Sequence, residues 1–165
     1  EADGTVINGL EILDLYTENP GEGFSRLIGN VAARVLNNKT IVGFENHGGR
    51  TYLGNDVKPL GKVIKGFGNN GGDQTEGVIY KNSFGSYFHG PILPKNPEFA
   101  DFLIKLALEK KYLPYLPADQ TLREPSTNSS EKANDKFMRV NLSPLDDSLE
   151  DKARSTIAKR LNIKL

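Results

Sequence analysis

Two histidines carry most of the chemistry open to this chain, and there is no cysteine to work beside them. An imidazole changes charge near physiological pH, so it can take up a proton and return it within one reaction. His89 closes the run Ser83-Phe84-Gly85-Ser86-Tyr87-Phe88 and is followed at once by Gly90-Pro91, which break the chain. Open α/β sheets place reactive groups where a strand's carboxyl end meets a crevice, and His89 is placed in that way. The same residue also reads as a structural histidine hydrogen-bonded at a strand end. His47 lies in Gly43-Phe44-Glu45-Asn46-His47-Gly48-Gly49-Arg50-Thr51, a short strand that runs through polar groups into paired glycines. Alternate residues of a strand share a face, so Glu45 and His47 point the same way and could support an active site. A solvated hairpin corner is the plainer reading of that run. Arg26, in Phe24-Ser25-Arg26-Leu27-Ile28-Gly29, enters a strand from its start. A guanidinium there can hold a carboxylate in bidentate fashion, or it can be an ordinary surface cation.

Several chemistries are excluded or disfavoured. Two histidines without cysteine or an H-E-x-x-H pattern do not close a zinc site. There is no Gly-x-Ser-x-Gly elbow, no P-loop and no G-x-G-x-x-G fingerprint. The 165 residues hold 21 basic and 21 acidic side chains, and a net charge of zero argues against a general nucleic-acid binder. No apolar run is long enough to span a bilayer. Without cysteines there are no disulfides, and a cytoplasmic location is compatible with that. The first residue, Glu1, is not Met, which suggests a processed or truncated product.

These residues need elements to hold them. The length suits one domain with a real core. The first half reads as strands: Val6 to Tyr16, Arg26 to Leu36, Thr40 to Phe44, Gly61 to Phe67, Glu76 to Tyr80 and Ser83 to Phe88. Asn19-Pro20-Gly21, Asn37-Asn38 and the glycine-rich loop from Gly68 to Asp73 provide the turns. The period then changes. Asn96 suits an N-cap and Pro97 the first helical position. Phe99, Phe102, Leu103, Leu106 and Ala107 follow the spacing of one helix face, which should bury against the sheet. Leu113 to about Pro144 loses periodicity and reads as an extended or mobile connection. Asp146 to Asn162 reads as a closing helix with the apolar stripe Leu149, Ala153, Ile157, Leu161. The expected division is 1–112 for the main domain part, 113–145 for the connection and 146–165 for the final helix.

Taken together, Gly43-Phe44-Glu45-Asn46-His47-Gly48-Gly49-Arg50-Thr51, Tyr80-Lys81-Asn82, His89 through Asn96, and Leu13-Asp14-Leu15-Tyr16-Thr17-Glu18 resemble a known family. It is the cobyric acid synthase-type (CobB/CobQ-like) class I glutamine amidotransferases, and within it the GatD-like glutaminase subunits of lipid II isoglutaminyl synthases. The likeness runs from about Gly4 to about Tyr112. It implies an α/β flavodoxin-like amidotransferase fold, of which this chain would be the β-rich C-terminal part plus C-terminal helices. It implies that a cysteine on an upstream strand-to-helix elbow attacks the glutamine amide, that His89 relays the proton and that Arg26 holds the substrate. The chain would begin just after that elbow and be inactive by itself. The triad glutamate expected two residues after the histidine is replaced here by Pro91, a departure the GatD-like and cobyric acid synthase-like proteins share. The resemblance further implies release of ammonia to a MurT-like Mur ligase subunit in peptidoglycan synthesis, with no cofactor in this chain and ATP and Mg only on the ligase. A corrin amide synthase domain and a non-catalytic binding module are the alternatives.

Overall fold

Val31 to Ala33 and Thr40 to Gly43 are consecutive buried residues, so the strands that carry them are covered on both faces there. A computed structural model describes residues 3–112 and 140–165. Its elements in chain order are β1 (Leu15–Glu18), β2 (Leu27–Arg34), β3 (Thr40–His47), β4 (Arg50–Leu53), β5 (Gly61–Lys65), β6 (Thr75–Glu76), β7 (Val78–Tyr80), β8 (Ser83–Gly85), β9 (Phe88–His89), α1 (Pro97–Tyr112) and α2 (Ser148–Leu161). One sheet has five strands in the order β6-β5-β2-β3-β9. β1 and β4 form a separate two-stranded ribbon, and β7 and β8 form a hairpin. Every strand pair among the described residues is antiparallel.

β2 and β3 are the centre of the large sheet, in register from Leu27 opposite His47 to Arg34 opposite Thr40. Val31, Ala33 and Ile41 enter the core on one face, with Leu60, Ile79, Phe88 and Phe99. Phe102 and Leu103 of α1 pack against that cluster, as the helical stripe predicts, whereas Ala107 is exposed. The other face is divided. Towards one end α2 lies against β2 and β3, and its Arg154 donates to the Thr40 carbonyl at 2.6 Å. Towards the other end Ile28 and Phe44 open to solvent.

Asn96 does more than start a helix. Its main-chain carbonyl takes the first helical bonds, from the N–H groups of Phe99 and Ala100. Its side chain is turned to β3 instead of capping. Oδ1 accepts from the Val42 N–H at 2.9 Å, and Nδ2 donates to the Val42 carbonyl at 2.9 Å and the Ile92 carbonyl at 2.7 Å. β9 pairs with β3 only at Phe44 and Glu45, which leaves Val42 without a strand neighbour on that side. A buried backbone pair must be satisfied, and the Asn96 amide reproduces a strand's donor and acceptor.

Several elements are shorter than the sequence predicts. Of the first apolar run, Val6 to Tyr16, only Leu15 and Tyr16 lie in a strand, which continues to Glu18, and Val6, Ile7, Leu10 and Ile12 are exposed. The run from Glu76 to Tyr80 is split at Gly77, whose φ of +64° breaks the pleat and where a Cβ would strike the Gly85 carbonyl. The run from Ser83 to Phe88 divides into β8 and β9. The closing helix is confined to Ser148–Leu161 and ends on Asn162, left-handed at φ +54°. Of the expected connection, residues 113–139 lie outside the described residues, and residues 140–147 form no regular element.

Candidate active site

β9 is only Phe88 and His89, and its register against β3 sets both side chains. Residues that face each other across an antiparallel pair share a side of the sheet. Phe88 faces Glu45 and goes into the core, whereas His89 faces Phe44 and is exposed. Gly43 permits this close approach, because a Cβ there would stand 2.9 Å from Cδ1 of the Phe88 ring. Gly90, at φ +73°, turns the chain away immediately after the histidine.

Arg26 reaches the same side by another route. Its Nε donates to Asn46 Oδ1 at 2.9 Å, and its Nη2 donates to the Asn46 carbonyl at 3.0 Å. Asn46 lies two positions beyond Phe44 in β3, roughly 7 Å along the strand and on the same face. The sheet therefore brings His89 and Arg26 to one exposed face, bordered by the half-open Ile28 and Phe44. The corner beside Arg26 is held by Arg50, which is buried. Its Nη1 donates to the Gly48 carbonyl at 2.6 Å and its Nη2 to the Ser25 carbonyl at 2.8 Å.

Glu45 and His47 share a face with each other, but it is the reverse face from His89. Glu45 is wholly buried and receives the N–H groups of Phe67 at 2.7 Å and Gly68 at 2.9 Å, one on each oxygen. Burial raises its pKa, against the opposing pull of those two N–H groups and of His47. His47 Nδ1 lies 2.9 Å from the Gly49 carbonyl, and since a carbonyl only accepts, Nδ1 carries the proton. Its Nε2 is buried without a hydrogen bond, 3.9 Å from Glu45 Oε2. Burial lowers the His47 pKa, which favours the neutral ring. The ring stacks on Tyr87 at 3.7 Å, and the Tyr87 hydroxyl joins Thr51 Oγ1, which joins Thr17 Oγ1, each at 2.7 Å. These contacts fasten the 66–68 and 48–49 loops to the sheet from behind, and they do not bring Glu45 or His47 to the imidazole of His89.

Glu76, Asn46, Arg50 and Tyr87 are not singled out by sequence reasoning. Glu76 is wholly buried and accepts from the Ser86 hydroxyl at 2.6 Å and the Tyr87 N–H at 3.1 Å. Burial raises its pKa, and the Glu45 charge pushes it further the same way. A lone glutamate in a turn-rich segment carries no signal of this. Asn46 and Arg50 do lie in the dense polar run, but their roles depend on Arg26 and Ser25, which are brought near only by the β2–β3 register.

The exposed face can move a proton through His89 and bind an anionic group through Arg26. It has no thiol of its own, because the chain contains no cysteine. Among the described residues no three His, Asp or Glu side chains gather as a metal-ligand set. A cavity of about 320 Å³ lies at the far end of β3, lined by Thr40, Ile41, Phe99 and Arg154 among others, and neither His89 nor Arg26 borders it. No helix among the described residues is long and apolar enough to cross a membrane.

Residues 1–97 match the family described as the CobB/CobQ-like glutamine amidotransferase domain. The chain is 50% identical over 117 residues to the GatD subunit of the lipid II isoglutaminyl synthase (glutamine-hydrolyzing) of Staphylococcus aureus, a match covering 71% of this chain and 46% of that protein. It is 50% identical over 113 residues to the corresponding subunit of Streptococcus pneumoniae, covering 68% of this chain and 43% of that protein. To a probable cobyric acid synthase of Methanothermobacter thermautotrophicus it is 38% identical over 113 residues, covering 64% of this chain and 21% of that protein. The chain thus spans somewhat less than half the length of the two GatD relatives.

Proposed function

This chain belongs to the CobB/CobQ-like glutamine amidotransferase domain family, and from that premise we propose that it supplies the histidine and the substrate-holding arginine of a glutaminase. The observation that carries the reading is the shared exposed face of His89 and Arg26. In this reading the chain is the C-terminal part of a flavodoxin-like domain, residues 1–112, followed by a connection over 113–145 and a closing helical segment over 146–165. The nucleophilic cysteine comes from polypeptide upstream of these residues, so this chain has no glutaminase activity alone.

The chemistry follows from the two groups. A neighbouring imidazole favours the thiolate form of a cysteine, which is the active nucleophile. The thiolate sulfur bonds to the glutamine side-chain carbonyl carbon, the C–N bond breaks, and the imidazolium of His89 gives its proton to the departing nitrogen to release ammonia. Water then attacks the thioester carbon, with His89 taking its proton, and glutamate leaves as the thiolate is restored. Arg26 holds the substrate α-carboxylate through a charge-assisted pair. Glu45 and His47 act from behind the sheet by fixing the loops, without touching the reacting atoms.

The 50% identity to two GatD subunits favours passage of the ammonia to a MurT-like ligase, which would use ATP and Mg to amidate the glutamate of lipid II in the cytoplasm. The 38% likeness to a cobyric acid synthase supports corrin amidation as the second reading. The test joins this chain to its upstream half and measures glutamate release, then adds a Mur-type ligase, ATP, Mg and lipid II. Glutamine-dependent amidation of lipid II supports the first reading. Glutaminase activity with amidation of a corrin acid instead supports the second, and no glutamate release from the well-folded complete protein overturns both.

A further inference from the structure

We infer that Asn46 is a positioning residue that presets the guanidinium of Arg26 for an incoming carboxylate, a role that rests on the glutaminase reading above. A guanidinium offers two edges suited to bidentate binding: Nε with one Nη, and the two Nη groups together. In Arg26 the first edge is taken by Asn46, through Nε to Oδ1 at 2.9 Å and Nη2 to the main-chain carbonyl at 3.0 Å. The second edge is left to a ligand. Arg26 itself precedes β2 and is exposed, so these two hydrogen bonds are what orient its long side chain. Asn46, in contrast, sits inside β3, and its Cα is opposite Ile28 in the sheet. The carboxamide therefore transfers the rigidity of the sheet to a cation that lacks its own. Arg50 assists from below by tying Ser25, the residue before Arg26, to the Gly48 carbonyl.

A neutral amide suits this task better than a carboxylate. Asn46 holds the guanidinium without cancelling its charge, whereas an aspartate at 46 would satisfy the same edge and compete with the substrate for the positive charge. Holding the cation in place acts on substrate binding far more than on the reacting atoms.

The experiment is carried out on the complete glutaminase, joined with its upstream half. Asn46→Ala is expected to raise KM for glutamine about tenfold, the size of one lost hydrogen bond to a charged group, and to change kcat by less than about threefold. Asn46→Asp, which keeps the shape and the acceptor, is expected to raise KM as well. Alkylation of the nucleophile by iodoacetamide, a reagent without a carboxylate, should proceed at the parental rate in both variants. Arg26→Ala is the reference. If Arg26→Ala raises KM while Asn46→Ala and Asn46→Asp bind glutamine like the parent, the role of Asn46 is overturned and the glutaminase reading stands. If Arg26→Ala itself leaves KM unchanged, the assignment of Arg26 falls and that of Asn46 with it.

Discussion

His89 stands directly opposite Phe44 across the β3–β9 pair, which places its imidazole on the side of the sheet away from Glu45. The histidine therefore contributes to the exposed face without being part of the core. In the complete protein, His89→Ala should lower kcat for glutamine hydrolysis by at least about 100-fold, the lower end of general acid–base contributions. Its melting temperature should stay close to that of the parent, because the side chain is exposed. Glutamate release and thermal unfolding measured on the same sample check both halves of this expectation.

Glu45 should behave in the opposite manner. It satisfies the buried N–H of Gly68 and the part-buried N–H of Phe67, and Glu45→Ala removes the partner of both. Two such donors at about 1–3 kcal/mol each put the loss at roughly 2–6 kcal/mol, towards the lower end because the Phe67 N–H is only partly buried. Urea unfolding reads this loss directly, and a variant as stable as the parent would remove Glu45 from its structural role.

Buried carboxyls and a buried imidazole give stability a pH dependence with two opposing parts. Burial raises the Glu76 pKa above its ordinary 4.5, so the folded protein holds that proton more tightly than the unfolded chain. Its favourable contribution is complete below pH 4.5 and is lost as pH rises through the raised value. Burial lowers the His47 pKa below its ordinary 6.5, so its contribution is complete above pH 6.5 and is lost as pH falls through the lowered value. Glu76→Gln, which fixes an uncharged side chain, should flatten the alkaline side of the curve. His47→Gln should flatten the acid side. Unfolding free energies measured across pH 4–9 would show unchanged slopes if these groups were not the cause.

Gly43 is a third point of leverage. A methyl group there meets the Phe88 ring at 2.9 Å, and Phe88 is the residue beside His89. Gly43→Ala should cost about 1–3 kcal/mol through overpacking and should also lower glutaminase activity, because displacing Phe88 moves β9. Loss of stability with full activity would separate the ring from the histidine.

The helix α1 and the strand end at His89 are legible in the sequence because their signals are local: a stripe of Phe and Leu at helical spacing, and an aromatic run closed by Gly90-Pro91. The strand Val6 to Tyr16 is misjudged because apolar content does not supply a hydrogen-bonding neighbour, and only its Leu15 and Tyr16 find one, in β4. The pairing of Arg26 with Asn46 depends on the β2–β3 register and has no local trace. Asn96 is legible as a helix start and not as a substitute strand, because the vacancy beside Val42 exists only once β9 has stopped short. Glu45 and His47 are rightly placed on a common face, but which face can be known only from what Phe88 and His89 do on the neighbouring strand.

The Asn96 amide has a further consequence for the histidine that precedes it. The short loop through Gly90-Pro91 leaves β3 at the Phe44–His89 pair and is sewn back to the same strand at Val42, two residues away. Both ends of this loop are thus anchored to one ribbon, and a loop so closed has little freedom to swing. The backbone of His89 is therefore held to the sheet on both sides of the turn, which gives its imidazole a fixed origin.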